Sequence, residues 1–249
     1  MAPARTLEGR RALVTGAGRR LGREIARALA AQGASLALHC RNSEEETRAL
    51  AAELAAGGTA AAVFPADLTD PMQGAALVGR AVAEAGPLDI LVNSASIFEE
   101  ETLEEMSAGS VHRNVDINAL APFHAARAFA RQGRAGVVVN LLDTMIRDYD
   151  RKHLPYHLSK RMLFTLTRAM AVEYAPLVRV NAVAPGLVLP PEGEDESYLR
   201  ALAHTNPLNA HGCGGDVARA VLFLVESPFV TGQVIYVDGG RHLRGAMYD

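Results

Sequence analysis

Apolar and polar positions follow two periods along this chain, and the two periods take turns. Short apolar runs of four to six residues, at 11–14, 35–39, 61–64, 88–92, 137–142, 178–183 and 234–237, have the length and composition of buried strands. Between them, apolar residues recur every three to four positions, as Leu21, Ile25, Ala28 and Leu29 do, and this predicts helices. After the helix that begins near Leu21, further helices are expected over about 43–56, 71–85, 110–132, 156–174 and 215–225. Strand, helix, strand at this spacing requires right-handed crossovers and a parallel sheet covered on both faces. The expected fold class is therefore α/β, a Rossmann-like doubly wound parallel sheet of about seven strands. No linker interrupts the pattern, so 1–249 reads as one domain.

Composition narrows the function classes. Hydrophobic residues make up 49% of the 249 positions and tryptophan is missing, as in an Ala/Leu/Val-rich globular protein. A net charge of −3 gives no basic footprint for nucleic acid. The start of the chain is too charged for a secretory signal, and no stretch approaches the roughly 18 apolar residues of a membrane span. Cys40 and Cys213 form no CxxC pair. A cytoplasmic protein is expected.

Candidate chemistry collects at the C-terminal ends of the expected strands. The first strand runs into Thr15-Gly16-Ala17-Gly18-Arg19-Arg20-Leu21-Gly22 and then directly into a helix. Free backbone N–H groups and the helix dipole make such a turn a phosphate site, and two arginines in it call for an anion. The competing reading is an ordinary tight turn. After the second strand the order is His39-Cys40-Arg41-Asn42-Ser43, with no acid before Glu44. An acid at that place accepts the ribose 2′-hydroxyl of NAD, whereas an arginine pairs the 2′-phosphate of NADP, so NADPH is expected. The third strand leads to Asp67-Leu68 and the fourth to Asn93-Ser94-Ala95-Ser96, with Phe98 just beyond as either a stacking surface or a core aromatic.

Farther along, Asn118 lies in the middle of the expected long helix, where an amide is a poor choice on propensity and must find partners if buried. The fifth strand delivers Asp143. Thirteen positions later comes Tyr156, with Lys160 one helical turn beyond it and Pro155 suited to the first turn. A lysine so placed favours the tyrosinate, so the phenol is expected to release its proton nearer neutral pH than its usual value of about 10. His153 and His157 have the i, i+4 spacing of a zinc pair, but Pro155 lies between them and no third ligand is evident, so no metal site is expected. The segment 187–197, rich in Pro, Gly and acids, reads as a lid over the site.

From about Arg10 to Gly240 the chain resembles the short-chain dehydrogenases/reductases. The resemblance rests on Thr15, Gly16 and Gly22 in the turn, Asn93 and Ala95 after the fourth strand, Asn118, and Tyr156 with Lys160. Three departures point to one branch: Arg20 in place of the middle glycine, Ser96 in place of the last glycine of the fourth-strand turn, and Asp143 in place of serine. With His39, Arg41, Ser43 and Phe98, these resemble the pteridine reductases, including bacterial dihydromonapterin reductases.

The resemblance implies Asp143, Tyr156, Lys160 and Asn118 as the catalytic group, with Asn118 keeping a water in a relay to Lys160. It implies a cofactor site of Gly16, Arg19, Arg20, Leu21, His39, Arg41, Asn42, Ser43, Asp67, Leu68, Asn93, Ser94, Ala95, Tyr156, Lys160, Pro185, Gly186 and Val188. A pterin would meet Arg20, Ser96, Phe98, Asp143 and Tyr156, and a C-terminal arginine, Arg241 or Arg244, would reach a neighbouring subunit of a homotetramer. The aspartate also has a physical reading. A carboxylate opposes the alkoxide formed when a ketone is reduced but favours a protonated C=N nitrogen. Competing readings are a turn cap or a pair with Arg147 for Asp143, a carbonyl or 3-oxoacyl reductase for the enzyme, and a dinucleotide-binding sensor without turnover.

Overall fold

Seven strands pair in parallel in the order β3-β2-β1-β4-β5-β6-β7: β1 (Arg11–Val14), β2 (Ser35–Cys40), β3 (Ala61–Pro65), β4 (Ile90–Asn93), β5 (Gly136–Leu141), β6 (Val178–Pro185) and β7 (Val234–Val237). The computed structural model describes residues 6–191 and 193–246, and of 244–246 the backbone only. Alternate residues of the central strands enter cores on the two faces of the sheet. Ala12, Val14, Ile90, Val92, Val137 and Val139 pack on one face against α1 (Arg20–Ala31), α2 (Glu44–Ala56) and α8 (Gly214–Glu226). Leu13, Leu91 and Val138 face the other way, towards α3 (Gln73–Ala85), α5 (Ala121–Ala130) and α6 (Leu154–Glu173). Both faces are covered, which is why the strands read as continuous apolar runs.

Strand order reverses at β1, which pairs with β2 on one side and β4 on the other. Loops leaving the two strands must separate there, and ligands bind such sheets in the crevice that results.

Three elements differ from the sequence expectation. The long helix expected over 110–132 is α4 (Ala108–Val115) and α5 joined by a π turn at Asp116–Leu120, in which the Ala121 N–H reaches the Asp116 carbonyl. Asn118 lies in that turn, so the amide that is out of place in an α-helix marks an irregularity of the helix. The segment at 187–197 runs into a helix the periodicity did not predict, α7 (Glu196–Leu202), capped by Asp195. A 3₁₀ turn at Arg241–Ala246, which the periodicity did not predict, follows β7. Among the described residues no helix is long and apolar enough to cross a membrane.

Candidate active site

A cavity of about 900 Å³ opens along the C-terminal ends of the strands. One end is built by the glycine turn. Gly16 has φ of 65°, and a Cβ there would lie 3.0 Å from Ala95 Cα, so the turn after β1 packs directly on the turn after β4. Thr15 fixes the two together by accepting from the Ser94 and Ala95 N–H groups at 2.9 and 3.0 Å. No acid and no side-chain cap occupies the first turn of α1, whose Arg20, Leu21 and Gly22 line the cavity, and a helix start of this kind can hold an anion. Arg20 takes the left-handed conformation with φ of 51°, a strained backbone for a bulky side chain, and its guanidinium donates to the Pro190 carbonyl at 2.7 Å across the cavity mouth.

Gly16, Arg19, Arg20, Leu21, Arg41, Asn42, Ser43, Asp67, Leu68, Ser94, Ala95, Pro185, Gly186 and Val188 all line this cavity. Arg41 stands half exposed, 3.8 Å from Asp67. A dinucleotide fits this donor set: backbone amides for a pyrophosphate, then a cation and the Ser43 hydroxyl after β2 in place of an acid.

Two residues expected at the cofactor act from behind it. His39 also lines the cavity, yet it is only 2% exposed. Its Nδ1 accepts from the Gly16 N–H at 3.1 Å and its Nε2 meets the Ala66 carbonyl at 3.1 Å, so the ring clamps the glycine turn to the end of β3. Burial lowers its pKa to about 4, and it stays neutral. Asn93 is outside the cavity lining; its amide donates to Asn140 Oδ1 at 2.8 Å, and Asn140 donates to Thr167 on α6 at 2.9 Å. The β4 asparagine thus joins the sheet to the helix that carries the tyrosine.

At the other end of the cavity, the Tyr156 hydroxyl donates to Asp143 Oδ2 at 3.2 Å. Asp143 also accepts from the Met145 N–H at 2.7 Å. The turn-cap reading is therefore correct as far as it goes, but the second oxygen serves the phenol. Among the described residues Asp143 forms no ion pair with Arg147.

Lys160 is buried, donates to the Leu141 carbonyl at 2.8 Å, and holds its ammonium 5.5 Å from the centre of the Tyr156 ring. Burial lowers its pKa to about 8. The expectation that Lys160 would lower the phenol pKa is not met. Burial and then the Asp143 charge raise Tyr156 well above 10, because the lysine is spent on a backbone carbonyl while a carboxylate faces the hydroxyl. Tyr156 is held here in its protonated form, as a hydrogen-bond donor to Asp143.

Asn118 is fully buried and also outside the cavity lining. Its Oδ1 accepts from the Ile97 N–H at 2.9 Å and the Ser96 hydroxyl at 3.0 Å; its Nδ2 reaches the Ile97 carbonyl at 3.1 Å and Ser159 Oγ at 3.0 Å. The side chain fixes the loop after β4 to the helix turn between Tyr156 and Lys160. None of its hydrogen bonds goes to Lys160.

Phe98 resolves as a cavity-lining ring, 53% exposed, with its centroid 4.7 Å from that of Tyr156 and the two planes at 80°. Sequence reasoning missed what lies against it. His153 stacks on Phe98 at 3.9 Å and 11°, and its Nδ1 lies 2.9 Å from Asp150. His157 Nε2 reaches the same carboxyl at 3.2 Å. The i, i+4 histidine spacing was visible, but the acid that joins the pair is upstream in an irregular loop. Arg241 also lines the cavity, whereas the side chain of Arg244 lies outside the described residues, as does Glu192 of the 187–197 segment.

The family described as enoyl-(acyl carrier protein) reductase matches residues 16–242. The chain is a short-chain dehydrogenase/reductase. It is 34% identical to versicolorin reductase 1 of Aspergillus parasiticus, over 94% of this chain and 97% of that one. It is 31% identical to the 3-oxoacyl-[acyl-carrier-protein] reductase FabG of Staphylococcus aureus, over 93% and 98%. Among solved structures it resembles FolM alternative dihydrofolate reductase 1 from Brucella canis complexed with NADP, with a TM-score of 0.88 and 33% identity over 96% of each chain. Members of this family are NAD(P)-dependent oxidoreductases.

Proposed function

We propose that this reductase uses NADPH to reduce a flat nitrogen heterocycle of the dihydropterin class, giving the tetrahydropterin. The observation that carries the reading is the bond from Tyr156 to Asp143 beside the half-exposed Phe98 ring. When bound, NADPH supplies the hydride. Reduction of C=N then requires one proton, and the carbon accepts hydride best when the nitrogen is already protonated. Asp143 stabilises that cation, and the one proton is drawn from water through the Asp143 carboxyl, to which Tyr156, kept protonated by burial and by Asp143, donates its hydrogen bond. Phe98 offers one face for the ring. Arg41 and Ser43 hold the 2′-phosphate, the α1 amides the pyrophosphate, and Lys160 the nicotinamide ribose. In this reading Arg20 meets cofactor phosphate and substrate together, and Ser96 the substrate edge.

The identity to FabG favours a second reading, a carbonyl or 3-oxoacyl reductase in which Asp143 is tolerated rather than used. NADPH oxidation by the purified protein separates the two, with dihydrobiopterin, dihydromonapterin and dihydrofolate run beside an acetoacetyl thioester and a simple diketone. Turnover of dihydropterins is the expected result; turnover of carbonyls alone would overturn it. The homotetramer belongs to the same proposal, and a monomeric mass in solution would remove it.

A further inference from the structure

Nothing in the hydride or proton chemistry uses the imidazole stacked on Phe98. His153 lines the same cavity as Phe98, Asp143 and Tyr156, and most of its side chain is buried. Both oxygens of Asp150 lie within hydrogen-bond distance of its Nδ1, at 2.9 and 3.0 Å. Burial opposes the Asp150 charge, but bonds from the Lys152 N–H and from the two histidines hold the carboxyl below its usual range. An ionised carboxylate only accepts, so Nδ1 must carry the proton. One polar atom of the ring is then left, Nε2, to which no described residue hydrogen-bonds. A carboxylate that fixes the tautomer and a flat neighbour that fixes the plane leave this nitrogen oriented beside a site for a flat ring, the arrangement seen in binding pockets with few, well-placed polar groups.

The charges around it bear on what it receives. Glu100 lines the cavity, and Glu99 and Glu101 flank it in the loop that follows Phe98. Two cations near that loop are paired, Arg113 with Glu99 and Lys152 with Glu100 at 3.6 Å. Glu101 is tied to the same histidine segment, its N–H donating to the Lys152 carbonyl. An anionic substituent leaving the ring on this side would meet carboxylates, whereas a hydroxyl would find Nε2.

We propose that His153 is a specificity-determining residue: held by Asp150 and stacked on Phe98, it hydrogen-bonds through Nε2 to a neutral, hydroxylated side chain of the bound heterocycle and selects it over anionic ones. This rests on the dihydropterin reading and deepens it, since it favours dihydropterins with a polyhydroxyalkyl side chain over dihydrofolate with its glutamate.

The test compares three substrates, a dihydropterin with a hydroxylated side chain, 6-methyl-dihydropterin and dihydrofolate, in wild type, His153→Phe and His153→Gln. Phenylalanine keeps a flat ring against Phe98 and removes the nitrogen; glutamine keeps an amide near its place. The expected result for His153→Phe is a KM for the hydroxylated pterin raised about tenfold, with its kcat, the KM for the methyl analogue and the Kd for NADPH unchanged within a factor of two. His153→Gln recovers part of the lost KM, and wild type prefers the hydroxylated pterin to dihydrofolate. Equal KM changes for hydroxylated and methyl pterins in both variants would reduce His153 to a stacking partner and overturn the proposal, as would no change in either. A wild type that turns over dihydropterins but prefers dihydrofolate overturns this inference alone. A wild type that reduces no dihydropterin overturns the function reading and this inference with it.

Discussion

Tyr156 gives its hydrogen bond to Asp143, not to a hydroxyl, across 3.2 Å. A phenol facing a carboxylate in a buried place keeps its proton. Replacing the acid by its uncharged isostere separates charge from shape. Asp143→Asn is expected to lower kcat for dihydropterin at least a hundredfold while leaving the NADPH Kd within a few fold, because Asp143 lies at the substrate end of the cavity. Asp143→Ser is expected to lose pterin turnover and to gain turnover of simple carbonyls, since a hydroxyl can donate to an alkoxide where a carboxylate cannot. Wild-type pterin rates in Asp143→Asn, measured by NADPH oxidation, would leave the carboxylate without a role.

Lys160 carries the second prediction. Burial lowers its pKa to about 8, so the free enzyme holds the ammonium below that pH and loses it above. A neutral amine binds ribose hydroxyls less well than an ammonium does. NADPH affinity, followed by nucleotide fluorescence from pH 6.5 to 9.5, is therefore expected to be flat up to about pH 8 and to weaken several fold beyond it. In Lys160→Arg the charge persists through that range, and the alkaline decline should vanish even if the overall affinity is lower. A wild-type decline that begins only near pH 10 would mean that the lysine is less desolvated than its contacts imply.

Much of this was legible in the sequence because the relevant signals are local. Seven apolar runs gave seven strands, the glycine turn sits at the head of α1, and Tyr156 and Lys160 share a helix opened by Pro155. The less legible features depend on contacts distant in sequence. The direction of the Tyr156 shift depends on burial and on the Asp143 carboxylate thirteen positions away. Asn118 was visible as a misfit, yet its partners at Ile97 and Ser159 come from separate elements. His39 read as a cofactor ligand because of where it lies in the chain, and only burial shows it working from beneath the glycine turn.

Arg20 combines a strained backbone with a bond across the cavity mouth. A left-handed conformation costs a residue with a Cβ roughly 1 kcal/mol relative to glycine. Arg20→Gly is therefore expected to keep or raise the melting temperature, since the exposed bond to Pro190 that it loses contributes little. The same change should weaken NADPH binding about tenfold or more and raise the KM for pterin. Arg20→Ala loses the guanidinium and keeps the strain, so it should bind equally poorly and melt lower than Arg20→Gly. If both variants bound NADPH as wild type does, the arginine would be no more than a strut to the 187–191 segment.

His39 makes the stability of the fold depend on pH in a window where few carboxylates titrate. Its folded pKa is about 4, against 6.5 for the free side chain, because burial disfavours the cation. The unfolded chain therefore binds a proton between these values that the folded chain refuses. No penalty exists above pH 6.5; it grows as pH falls from 6.5 and is complete below about 4. One unit of pH inside the window is worth about 1.4 kcal/mol, so the fall from pH 6.5 to 5 removes about 2 kcal/mol. Nδ1 accepts from Gly16 while Nε2 donates to Ala66, which only the neutral ring can do. His39→Asn should melt lower than wild type at pH 7.5, having lost one or both bonds, but its melting temperature should decline less between pH 6.5 and 5. Thermal melts of the two proteins at half-unit steps read this directly. Parallel curves would mean that protonated His39 finds an acceptor in the folded state, and that the ring is not the acid-sensitive clamp its contacts describe.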